Sequence, residues 1–117
     1  MAVYIQRIYS ASTHKGVRVL VDRIWPRGIS KEEAQVDVWL KNIGPSASLR
    51  KWFNHDVNKF ESFKAKYMKE LTNNTDQNHA FEELKSIINH TEADIYLLYS
   101  AKDTKHNQAV VLKSLLT

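Results

Sequence analysis

Asp22, Arg23, Trp25 and Arg27 crowd into the residues that follow the apolar run Val17-Arg18-Val19-Leu20-Val21. A carboxylate, two guanidinium groups and an indole at the end of such a run can hold an anion, pack against it and exchange a proton with it. Ser100, Lys102, Asp103 and His106 form a second set after the apolar run Ile95-Tyr96-Leu97-Leu98-Tyr99. This set opens a helix, whose free N–H groups and positive dipole end favour negative charge. All five arginines (Arg7, Arg18, Arg23, Arg27 and Arg50) fall in the first fifty residues, and lysine alone is used afterwards. Guanidinium binds phosphate or carboxylate through a planar fork that lysine cannot copy. The resulting expectation is a small anionic ligand, phosphate-bearing or carboxylate. Arg23, Arg27, Arg50 and Lys102 would hold its charge and Trp25 would pack on it. Asp22, Asp103 and His106 would supply acid–base chemistry if the protein is an enzyme. Buried structural ion pairs are the competing reading of the arginines.

The other polar clusters point to less. His55 and Asp56 are adjacent and so do not face each other, which makes His55 a helix-end cap or surface residue. His106 lies one helical turn beyond Asp103 and can point toward the same pocket. Asp22, Asp37, His55, Asp56, Asp103 and His106 could each ligate a metal, but none of the spacings that put two ligands on one helix face is present, so no metal is expected. Ser100 lacks the flanking glycines of a nucleophile elbow. With three glycines, no phosphate-binding glycine loop and no cysteine, no cofactor is expected, and disulfide and thiolate chemistry are excluded. Trp39 and Trp52 fall on helical stripes and read as core. A helix dense in arginine for a DNA groove is not apparent, so nucleic acid is weakly supported.

Several elements must position these groups. Val3–Tyr9 alternates as a strand, and Val17–Ile24, apolar on both faces, reads as the central strand of a sheet covered on two sides. The connection Ser10–Gly16 suits a hairpin and is cramped for a parallel crossover, which leaves the first strand's orientation open. Ser30-Lys31-Glu32-Glu33 has capping-box spacing and should start a helix carrying Val36, Trp39, Leu40 and Ile43, stopped by Gly44-Pro45. Ser46–Asn54 reads as a short helix, and Val57–Leu71 as a longer one with the stripe Phe60, Phe63, Tyr67 and Leu71. Thr72–Asn78 reads as a mobile polar turn before a helix that ends near Asn89. Asp94–Tyr99 is a strand, and the last helix should be capped by Asp103 or Thr104. Helices between the two strong strands require parallel pairing if these are neighbours. The predicted fold is α/β: a single three-layer domain over residues 1–117 with a small, mainly parallel sheet and helices on both faces.

A content of 43% hydrophobic and 26% charged residues belongs to a soluble folded chain, and no apolar run is long enough to cross a bilayer. Without an export pattern at the N-terminus, a cytoplasmic location is expected. The net charge of +4 is modest, and the oligomeric state is not legible. The alternative function is a regulatory module that binds nucleic acid or a partner protein through its basic surface.

Gly16-Val-Arg-Val-Leu-Val-Asp-Arg-Ile-Trp-Pro-Arg-Gly28, Leu49-Arg-Lys-Trp-Phe-Asn-His-Asp56, Leu97-Leu-Tyr-Ser-Ala-Lys-Asp103 and His106-Asn-Gln-Ala109 together resemble the YeaO-like family of small bacterial proteins of unknown function. The resemblance spans nearly the whole chain. It implies a compact α/β domain and carries no activity with it. Wider relatives place cysteines near the final strand and helix, where this chain has Tyr99 and no thiol, so cysteine chemistry is not carried over.

Overall fold

The structure, a computed structural model, describes residues 2–10 and 15–116. Four strands, β1 (Val3–Arg7), β2 (Val17–Leu20), β3 (Val38–Trp39) and β4 (Ile95–Tyr99), form one sheet in the order β1-β4-β2-β3. Every pairing is parallel, with Val3 opposite Ile95 on one side of β4 and Val17 opposite Ile95 on the other. The orientation of the first strand is thereby settled. Because β4 lies between β1 and β2, the segment joining them is no hairpin; its residues 11–14 are outside the described residues.

The two-residue period of the strands divides the core. Val19, Ile95, Leu97 and Tyr99 face a large cluster built with α2 (Ala47–Phe53), α3 (Phe60–Asn73), α4 (Thr75–Asn89) and α5 (Gln108–Leu116). Leu20, Tyr96 and Leu98 face the other way, onto Ile8, Ala34, Trp25, Ile29, Val36 and Trp39. The fold is thus α/β with unequal layers. The second face is covered by the single turn of α1 (Lys31–Ala34) and irregular chain.

Five expectations need correction. The central strand ends at Leu20 rather than Ile24. Val21 still donates to the Leu98 carbonyl at 3.0 Å, but the N–H of Ser100 goes to the Asp22 carboxylate in place of a backbone carbonyl, and Ile24 is left 65% exposed. The helix opened by the Ser30 capping box also stops early. Ser30 and Glu33 satisfy each other at 3.1 Å, yet Gln35 turns left-handed at φ 50° and the chain then becomes β3. A sheet edge decides this: Asp37 and Leu40 donate to the carbonyls of Arg18 and Leu20, while the Asp37 carboxylate accepts from Arg18 N at 2.8 Å. Trp39 accordingly sits on a strand, and its indole N–H donates to the Asp22 carbonyl at 2.7 Å.

The polar stretch Thr72–Asn78 is mostly helix, with Asn74 alone between α3 and α4. Its side chains bind locally, Asn74 to Gln77 at 2.6 Å and Asn78 to the Leu71 carbonyl at 3.0 Å. Trp52 is 38% exposed rather than core, lying under the ammonium groups of Lys59 and Lys66. Finally, α5 starts four residues later than expected from an Asp103 cap. Asn107 accepts from Val110 N at 3.1 Å and takes the capping role. Among the described residues no helix is long and apolar enough to cross a membrane.

Candidate functional site

The chain leaves β2 toward β3 on one side, and leaves β4 toward α5, which packs over β1 and β4, on the other. Connections that diverge from adjacent parallel strands open a crevice at their carboxyl ends, where ligands of such sheets bind. A cavity of about 270 Å³ lies there. Phe53 and Phe63, stacked 4.3 Å apart, give it an apolar side; Asp22, Arg23 and Arg50 give it charge, and His55 and His106 add two imidazole rings.

Asp22 anchors the cavity. It is 8% exposed and accepts from Ser100 Oγ at 2.6 Å, from Ser100 N at 3.0 Å and from Gln108 Nε2 at 2.5 Å. Burial pushes its carboxyl above the usual range, against the opposing pull of these bonds and of the Arg50 charge. The carboxylate therefore ties the loop after β4 and the first turn of α5 to the end of β2.

The two arginines of the cavity differ in what they hold. Arg23 donates through Nη2 to the Gly44 carbonyl at 2.6 Å and through Nε to the Pro45 carbonyl at 3.1 Å. Gly44 packs tightly against Arg23, where a Cβ would stand 3.1 Å from the Arg23 backbone nitrogen. Arg50 projects from α2, whose first turn is fixed by Ser46: its hydroxyl accepts from Leu49 N at 3.2 Å and donates to Glu70 at 2.5 Å. The Arg50 Nε is buried and has no hydrogen-bond partner among the described residues. A buried donor without an acceptor costs about 1–3 kcal/mol, so this nitrogen marks a place for one.

His106 meets Asp103 at 2.9 Å between Nδ1 and Oδ2 and stands edge-on to Phe60 with centroids 5.1 Å apart. Asp103 also accepts from Lys105 N and His106 N, and these bonds, led by that from Lys105, hold its carboxyl below the usual range. With Nδ1 engaged by the carboxylate, Nε2 is the ring nitrogen left for a ligand. His55 reaches the cavity through two successive left-handed residues, Asn54 at φ 46° and His55 at φ 56°.

Asp22, Arg23, Arg50 and His106 are thus gathered at one cavity, with Asp103 behind His106. Trp25 lies elsewhere: it packs edge-to-face on Trp39 in the second core and donates to the Ile29 carbonyl at 2.8 Å. Arg27 and Lys102 line a separate depression with Arg7, Tyr9 and Ser100. The lining residues His55 and Gln108 escaped the sequence reading as site residues. Asn54-His55 after a helix was a signal for a left-handed exit, and Gln108 beside a capping Asn107 was a signal for a first-turn side chain. No group of three or more potential His, Cys, Asp or Glu metal ligands occurs among the described residues.

Comparison with known proteins fits this chain into a family that carries no assigned activity. Residues 4–116 match the model of a domain of unknown function, DUF488. The chain is 37% identical over 113 residues to the uncharacterized protein YeaO of Escherichia coli K12, covering 96% of this chain and 94% of that one. It is 43% identical over 70 residues to the uncharacterized proteins Mb3100c of Mycobacterium bovis and Rv3073c of Mycobacterium tuberculosis H37Rv, 59% of each chain in both cases. No solved structure matches the sequence significantly. The chain belongs to the DUF488 family and, within it, resembles the YeaO-like bacterial proteins from end to end.

Proposed function

We propose that the cavity at the carboxyl ends of β2 and β4 binds a small anionic ligand, phosphate-bearing or carboxylate. The observation that carries this reading is the Arg50 Nε, buried in the cavity region with no acceptor among the described residues. An oxyanion supplies the acceptor and the countercharge together. Arg23 adds positive charge at the rim although its fork is engaged by carbonyls. His106, oriented by Asp103, offers a ring nitrogen for proton transfer, while Asp22 positions Ser100 and Gln108.

Calorimetric titration of inorganic phosphate, a phosphate monoester and acetate into wild type and Arg50→Gln tests the reading. A tenfold or greater loss of affinity in the variant for at least one of these anions is expected. Equal affinity in a folded variant, or no binding of any of the three by wild type, overturns it.

A further inference from the structure

The depression that holds Arg27 and Lys102 has a volume of about 520 Å³ and is lined, among the described residues, by Arg7, Tyr9, Arg27, Ser100 and Lys102. Three cations line it and no carboxylate does. Arg7 is fixed in place: Nε donates to the Ala101 carbonyl at 3.0 Å, Nη2 to the Ser100 carbonyl at 3.1 Å, and the guanidinium lies 5.0 Å from the centre of the Tyr9 ring. The Tyr9 hydroxyl donates to the Arg27 carbonyl at 2.7 Å, and Gly28 follows at φ 77°, so the backbone beneath Arg27 is held as well. The Arg27 guanidinium and the Lys102 ammonium have no hydrogen bond or ion pair among the described residues. Three like charges gathered without a countercharge repel one another, and a bound anion relieves that repulsion.

The position of this depression matters as much as its charge. Ser100 borders it and also borders the Arg50 cavity, while the next two residues divide between the two, Ala101 on the cavity and Lys102 on the depression. A few residues of one loop therefore separate two places suited to anions, and Arg7 holds that loop by its carbonyls.

We propose that the ligand is a small molecule with two anionic groups, one at Arg50 and the other at Arg7, Arg27 and Lys102, its body crossing the loop at Ser100. The proposal rests on the anion-binding reading of the cavity and names the ligand class for it. Two tethered groups bind more tightly than either alone when the tether spans the sites, because the second contact becomes intramolecular.

Inorganic phosphate and a series of α,ω-alkanediol bisphosphates with two to six carbons are the probes, titrated into wild type, the double variant Arg27→Gln/Lys102→Gln, and Arg50→Gln. At least one bisphosphate is expected to bind wild type tenfold or more tighter than phosphate, with an optimum tether length, and that ratio is expected to collapse toward one in the double variant. The unliganded double variant is expected to melt no lower than wild type, since repulsion has been removed. If phosphate binds through Arg50 and no bisphosphate improves on it, or the advantage survives in the double variant, the second site is overturned and the cavity reading stands. If no probe binds wild type, or Arg50→Gln binds phosphate as wild type does, the cavity reading falls and takes this proposal with it. A lower melting point of the unliganded double variant would show its charges to be paired in the fold and count against the proposal. A short oligothymidylate is titrated in parallel, and tighter binding of it than of every bisphosphate overturns the small-molecule assignment in favour of a nucleic-acid backbone.

Discussion

Arg23 and Arg50 line the same cavity and do different work. Arg23 stands just past the end of β2 and closes onto the carbonyls of Gly44 and Pro45, joining the sheet to the turn that precedes α2. Gly44 in turn accepts from Gln77, which also donates to Glu70, the carboxylate that holds Ser46 at the head of α2. Arg50, on that same helix, leaves its Nε without an acceptor among the described residues. One arginine therefore builds the wall of the cavity and the other faces an unmet demand. Residue type does not separate them; the acceptors within reach do.

The largest expected effect follows from breaking the wall. Arg23→Ala removes two charge-assisted bonds and leaves the Pro45 carbonyl without this donor, for an expected loss of about 2 kcal/mol in urea unfolding. Anion affinity in the folded fraction should fall less than threefold. A variant that keeps wild-type stability and loses the ligand would reverse the roles of the two arginines. Arg50→Gln should show the mirror image: no loss of unfolding free energy in the unliganded protein, since the substitution removes a buried donor that lacks an acceptor among the described residues. Its loss is on the ligand side, about 1.4 kcal/mol if the affinity falls tenfold. A large drop in stability would place Arg50 with Arg23 as part of the frame.

Asp22 sharpens the contrast through pH. Its carboxyl is raised in the folded state, so folding takes up protons, and stability falls as the pH rises from the ordinary value of 3.8 through the raised one. Asp103 and Glu33 have the opposite sign, being held low, and contribute stability that is lost as the pH falls through their depressed values. The difference between wild type and Asp22→Asn isolates the Asp22 contribution. Because three hydrogen bonds offset the burial, the difference should be modest, with wild type losing ground to the variant as the pH rises from 3.8 through the raised value in chemical unfolding at fixed ionic strength. A difference that does not change across that window would mean that burial of the charge is fully offset by its partners.

Much of this arrangement was legible in the chain. The β-branched run of β2 and the apolar run of β4 announced two strands, and the charged residues directly after them located the crevice. The reading of Ser46–Asn54 as a short helix announced α2, and with it the position of Arg50. The elements that failed to show are those decided by partners distant in sequence. Val36, Trp39, Leu40 and Ile43 have helical spacing, but the free edge of β2 drew Val38–Trp39 into the sheet through bonds to Arg18 and Leu20. His55 became a lining residue because Asn54 and His55 both exit α2 in left-handed conformations, which spacing rules do not register. The arginines were read as ligand groups or ion-pair partners, whereas Arg7, Arg18 and Arg23 donate chiefly to backbone carbonyls.

Trp25 provides the finest test, because the sequence grouped it with Arg23 and the structure separates them. Its ring stands against Trp39 with centroids 5.5 Å apart, on the side of the sheet away from the large helical cluster, and its indole N–H is held by the Ile29 carbonyl. Trp25→Phe keeps an aromatic ring there and removes that one bond. A single neutral hydrogen bond at a half-buried site contributes about 0.5–1 kcal/mol, so a small fall in the unfolding free energy is expected, with no measurable change in anion affinity. An affinity change of threefold or more without loss of stability would mean that the ligand reaches around the end of β2 to the indole, and the division between a framing Trp25 and a binding Arg50 would then fail at the place where the sequence had joined them.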